Sequence, residues 1–134
     1  MNPRLAIKIM LVLLVAVVLF HLTIVLKLIP YEITWGGRLK NDTEMYVFES
    51  VSILINLFLF FVLLIKGNYL TEIIPMKIAN IILWIFLFLF GLNTIGNIYA
   101  ETNFEKFFTL LTLTSAVLIW IILKKDKKQT HSNV

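Results

Sequence analysis

Apolar residues run along this chain in four long blocks, with polar and breaker residues gathered between them. The first block extends from about Leu5 to Ile29 and is unbroken from Ile9 to Phe20, after which only His21, Thr23 and Lys27 interrupt it. The second extends from about Met45 to Ile65, the third from about Ile78 to Ala100 and the fourth from about Phe107 to Leu123. A helix advances about 1.5 Å per residue and needs about 20 apolar residues to cross the hydrocarbon of a bilayer. Each block is therefore read as one membrane-spanning helix. The fourth is the shortest and has little length left for tilt.

Pro30 closes the first block, and Trp35, Gly36, Gly37 and Arg38 form a compact turn. Gly67 and Asn68 mark the next turn, Pro75 stands where a helix can start, and the third connection is barely longer than Glu101 to Lys106. Short connections make consecutive helices antiparallel neighbours. The expected fold is all-α: a polytopic membrane protein built as a four-transmembrane-helix up-down bundle. Residues 1–123 form one transmembrane domain and residues 124–134 a basic polar tail, with no internal repeat.

Composition agrees with this reading. Of 134 residues, 60% are hydrophobic and only 15% charged, and the mean hydropathy is +0.92. A water-soluble domain is about half apolar and about a quarter charged. Cysteine is absent, which excludes disulfides, thiolate metal sites and thiol nucleophiles.

The charges orient the bundle. Arg4, Lys8, Lys66, Lys77, Lys124, Lys125, Lys127 and Lys128 collect at one end of the helices, and Lys27, Arg38, Lys40 and Lys106 at the other. The end richer in lysine and arginine faces the cytoplasm, so both termini are expected inside a bacterial inner membrane. The first block is longer than a secretory signal core and lacks a following small-residue cleavage site, so it reads as a retained anchor. The basic tail is read as a contact to anionic lipid headgroups.

Polar groups inside a membrane helix cost free energy unless they find partners, which makes their positions informative. His21 lies about two turns below the outer end of the first helix. Glu49, Ser52 and Asn56 share one stripe of the second, and Asn93, Asn97 and Glu101 one stripe of the third, because each helical residue turns about 100°. Thr109 and Thr112 open the fourth. Such stripes should face inward, whereas Leu13 to Leu19, Leu57 to Ile65, Ile81 to Phe90 and Val117 to Leu123 are almost pure hydrocarbon. The expectation is a polar cup open to the outside above an apolar plug. His21, Arg38, Glu49, Ser52, Asn56, Asn93, Asn97 and Glu101 would line it, with the turn from Trp35 to Arg38 as its lid.

Plain structural roles compete with this. A lone membrane histidine is more often a link to a neighbouring helix, and the asparagines are common interhelical glue. Thr109, Thr112, Thr114 and Ser115 can bond their own backbone. Arg38 beside Glu44 or Glu49 would staple a loop. Glu49 stands out because it can exchange a proton, and its depth matches that of His21 on the adjacent helix.

Three functional readings follow. The first is a pocket for a small molecule, a lipid headgroup or a partner segment. The second is a membrane-embedded enzyme using Glu49 and His21 as acid and base on a lipidic substrate. The third is an accessory or assembly subunit meeting a membrane protein partner through Phe58, Phe60, Phe61, Phe86, Phe88 and Phe90. No metalloprotease, hydrolase, phosphate-binding or dinucleotide motif is present. Two distant histidines, His21 and His131, argue against a zinc site or a haem pair, so no metal or cofactor is expected. The tail has no interleaved aromatics and gives no sign of nucleic-acid binding.

Overall fold

A computed structural model describes the backbone of residues 1–34, 37–100 and 102–132, and the side chains of these as far as Lys124. Four helices account for most of it: α1 (Pro3–Val25), α2 (Asp42–Lys66), α3 (Met76–Ile98) and α4 (Asn103–Ser132), with a 3-10 turn at Tyr31–Ile33 and no strand among the described residues. All four are long and apolar enough to cross a membrane, α4 over Asn103–Lys124. Helix α1 packs against α2 and α4, and α3 packs most extensively on α4 and less on α2.

Local chemistry explains the boundaries. Asn2 caps α1 by accepting from the Arg4 N–H at 2.9 Å, and Asn41 caps α2 by accepting from Glu44 at 2.9 Å. Helix α1 ends at Val25, a turn earlier than hydropathy suggests, because Lys27 adopts a left-handed conformation at φ 59°. The Leu28 N–H then closes back on the Thr23 carbonyl and that of Lys27 on Ile24, both at 2.9 Å. This is the Schellman closure that glycine usually makes. Lys27 is thereby carried past the helix end, where its ammonium reaches the Asp42 carboxylate at 2.5 Å. That hydrogen bond, with Coulombic attraction behind it, raises the Lys27 pKa above its ordinary value.

Helix α2 closes in the same way on Asn68, at φ 61°, with Tyr69 N–H bonding the Leu64 carbonyl at 2.8 Å. Asparagine tolerates this conformation better than most residues and glycine better still. Asn68→Gly is expected to leave stability unchanged or slightly raised, and Asn68→Val to lower it by ~1–2 kcal/mol, read from unfolding in detergent micelles.

Helix α3 starts at Met76, whose N–H is taken by the Glu72 carboxylate at 2.9 Å. Helix α4 begins four residues before the hydropathy rise at Phe107, because the Thr102 hydroxyl accepts from the Glu105 N–H at 3.2 Å. Threonine followed three residues later by glutamate is the capping-box spacing.

The buried core occupies the half of the bundle away from the 3-10 turn. Ala6, Met10 and Leu14 of α1 meet Leu59 and Leu63 of α2, Ala79 and Leu83 of α3, and Ile119 and Ile122 of α4. The recurrence of three and four residues puts each set on one helical face. Ala6 and Ala79, both wholly buried, let backbones approach closely where hydrocarbon burial alone gives no drive in lipid. A second, smaller cluster of Ile24, Leu39 and Met45 sits by the 3-10 turn. Outward faces carry exposed Val12, Leu54, Phe88 and Leu110, an apolar skin suited to lipid and unsuited to water.

Among the phenylalanines expected on outer faces, Phe86 belongs to the core, and Phe60 and Phe90 pack against it. Phe58, Phe61 and Phe88 remain exposed.

Candidate functional site

Between the two buried clusters lies a cavity of about 1310 Å³. The C-terminal halves of α1 and α3 and the N-terminal halves of α2 and α4 surround it, and Thr34, Arg38 and Leu39 reach it from the connection before α2. Leu13, Leu14, Val17, Phe86 and Leu111 give the end nearer the core an apolar lining.

His21, Arg38, Glu49, Ser52, Asn56, Asn93 and Asn97 all line this one space. Trp35 and Glu101, expected with them, lie outside the described residues. The phase of α2 accounts for its three: Glu49, Ser52 and Asn56 follow at intervals of three and four and so project to one side.

At the α1 side of the wall, His21 Nδ1 pairs with the Glu49 carboxyl group. Glu49 is 0% exposed and His21 15% in the side chain. Pairing is what permits a carboxylate to be buried at this depth. Contact through Nδ1 fixes the ring orientation.

The asparagines behave differently from interhelical glue. The Asn56 amide donates to the Ser52 carbonyl of its own helix at 2.7 Å. Asn93 and Asn97 form no side-chain hydrogen bond among the described residues, and both face the cavity. Each amide offers two donors and an acceptor.

Interhelical linkage falls instead to a threonine pair that hydropathy did not single out. The Thr94 and Thr112 hydroxyls stand 2.9 Å apart, both buried, joining α3 to α4. Each also lies within bonding reach of its own helix, Thr94 of the Phe90 carbonyl at 2.8 Å and Thr112 of Phe108 at 3.0 Å. With that fallback, Thr94→Val is expected to cost only ~0.6–1.7 kcal/mol, measurable as a shifted unfolding midpoint in micelles.

No ion pair joins Arg38 to Glu44 or Glu49 among the described residues, contrary to the loop staple expected of it. The Glu44 carboxylate accepts the Lys40 backbone N–H at 2.9 Å, and Arg38 is exposed at the rim. Phe20 of α1 packs on Phe108 and Phe104 of α4, with ring centroids 5.1 and 5.7 Å apart, sealing the cavity between those helices.

Glu44, Glu105, Thr34, Thr112 and Ser115 also line the space. Of these Glu105 is the most consequential, a carboxyl only 7% exposed. Its signal was present in the sequence: Glu105, Phe108, Thr112 and Ser115 recur at three, seven and ten residues, one helical face. A fourth helix that starts at Phe107, as hydropathy alone has it, puts Glu105 in a loop and hides that face.

Comparison with known proteins returns nothing to set beside this arrangement. No protein family, curated protein or solved structure matches the chain.

The site therefore rests on its own chemistry. A buried carboxylate with its imidazole, two amides with unspent hydrogen-bonding capacity and a rim guanidinium converge on a space larger than the ~300–1,000 Å³ usual for small-molecule pockets. Among the described residues no cluster of three or more histidine, aspartate and glutamate side chains has metal-holding geometry.

Proposed function

We propose that this chain is a small integral membrane protein that binds a small molecule, a lipid headgroup or a partner segment in a polar pocket open to the outside. In this reading the four helices cross a bacterial inner membrane up and down, with both termini in the cytoplasm. His21, Arg38, Glu49, Ser52, Asn56, Asn93 and Asn97 are the binding residues. The observation that carries the proposal is their convergence on one cavity, with no side-chain hydrogen bond from Asn93 or Asn97 among the described residues. Polar groups within a membrane bundle are costly to keep unless they serve a ligand, water or each other.

The absence of cysteine makes a direct test available, since any introduced thiol is the sole one. Asn97→Cys, in cells, should react with a membrane-impermeant maleimide added from outside, and Leu83→Cys in the core should not. Modification of position 97 only in inside-out vesicles would reverse the orientation and remove the outward pocket.

The contact between His21 and Glu49 favours a second reading, acid and base chemistry on a lipidic substrate. Glu49→Gln keeps the shape and abolishes proton transfer. A lipid-modifying activity of the purified protein that survived this substitution unchanged would reject that version.

A further inference from the structure

At the level of the cavity, three of the four neighbouring helix pairs are tied together. His21 and Glu49 join α1 to α2, Phe20 with Phe104 and Phe108 joins α1 to α4, and Thr94 with Thr112 joins α3 to α4. The described ties between α2 and α3 lie elsewhere, toward the core end: the rings of Phe58 and Phe86, 6.4 Å apart, and the Lys66 ammonium on the Asn80 amide oxygen at 2.6 Å. Residues of α2 and α3 that line the cavity nevertheless keep much of their surface exposed. Ile55 is 46% exposed and Leu89 43%, and Asn93 and Gly96 are exposed beside them. The weaker packing of α3 on α2 and this exposure point to a side opening between the two helices, edged by Ile55 and Leu89 with Asn93 beside them. In a bilayer that opening faces acyl chains and not water.

A space with an apolar side opening, an apolar floor and a polar far end has the gradient of an amphiphile. Its ionisable lining sets the head. Among the described lining residues the three carboxyl groups of Glu44, Glu49 and Glu105 outnumber the single guanidinium of Arg38. That excess of carboxyl groups over guanidinium favours an ammonium head over an anionic one. We infer that the pocket takes an amphiphile with a long apolar chain and an ammonium headgroup, admitted from the bilayer through the opening between α2 and α3. This rests on the pocket reading above and adds the ligand class and its route.

The test uses the full chain in phosphatidylcholine vesicles, with a bimane fluorophore on a single introduced cysteine and nitroxide-labelled octadecylamine as quencher. Leu89→Cys reports the lip of the opening. Ile81→Cys, on the exposed face of the same helix and outside the cavity lining, reports bulk lipid. Both replace lipid-facing side chains, so folding should survive.

Expected is saturable quenching at position 89, competed by unlabelled octadecylamine, with only linear quenching at 81. Half-saturation by nitroxide-labelled stearate should need about tenfold more quencher. Linear quenching at both positions, with iodide still reaching bimane on Asn97→Cys, overturns the lateral route and leaves the pocket. Equal half-saturation by amine and stearate overturns the ammonium assignment and the proposal with it. Failure of iodide to reach position 97 overturns the pocket itself.

Discussion

Replacing His21 with alanine is expected to lower the unfolding free energy by about 3–5 kcal/mol, the largest loss from any single side chain lining the cavity. The substitution takes the imidazole from a carboxylate that is 0% exposed. A buried ionisable group deprived of its partner must be carried at high cost or neutralised by a proton. Glu49→Gln should cost less, about 1–3 kcal/mol, since the amide oxygen still accepts from the imidazole and no charge is left behind. His21→Leu combined with Glu49→Leu should recover most of the loss, because two apolar side chains owe nothing to solvation. Unfolding midpoints of the two leucine single variants and the double variant complete the cycle. A coupling below about 0.5 kcal/mol would show that the contact between His21 and Glu49 does not hold α1 to α2.

The pair also marks the boundary of what the letters disclose. Four helices were legible because about 20 consecutive apolar residues have few other uses. The cavity's polar lining was legible because a bilayer penalises stray polar groups, so His21, Glu49 and Asn97 could be placed by depth and helical phase alone. Pairing of His21 with Glu49 follows from matching depth. Helix ends were less legible, since they depend on single backbone conformations: nothing in hydropathy says that Lys27 will turn left-handed and stop α1 at Val25. The bond between Thr94 and Thr112 was hidden for a related reason. A threonine that can satisfy itself on its own helix carries no depth penalty, and only the packing of α3 on α4 decides that it bonds across.

The asparagines show the converse. Asn56 returns to its own backbone, while Asn93 and Asn97 line the cavity without a side-chain hydrogen bond among the described residues. Had they been glue, their hydrogen bonds would have been spent between helices. Their position beside the gap between α2 and α3 ties the polar lining to the most loosely packed of the neighbouring helix pairs, so the ligand proposed above would bridge it.

Filling that seam should separate function from stability. A side chain placed at Gly96 meets nothing within 4 Å of its Cβ, and the residue sits in the interior of α3 on the cavity lining. Gly96→Ala is expected to raise stability by about 0.5–1 kcal/mol, because glycine gives up more backbone freedom in a helix than alanine does. Gly96→Phe should leave the unfolding midpoint within about 0.5 kcal/mol of the parent, since phenylalanine in a helix costs little beside glycine. The added ring would nevertheless occupy space between α2 and α3. Access of a water-soluble maleimide to a thiol at Asn97→Cys should then slow by about tenfold, the factor that corresponds to ~1.4 kcal/mol in the open population. An unchanged rate in a fully folded Gly96→Phe protein would mean that the cavity is reached by another path, past the rim at Arg38 and Glu44. A lowered midpoint would mean that α2 and α3 close on each other here more tightly than the open space around Gly96 implies.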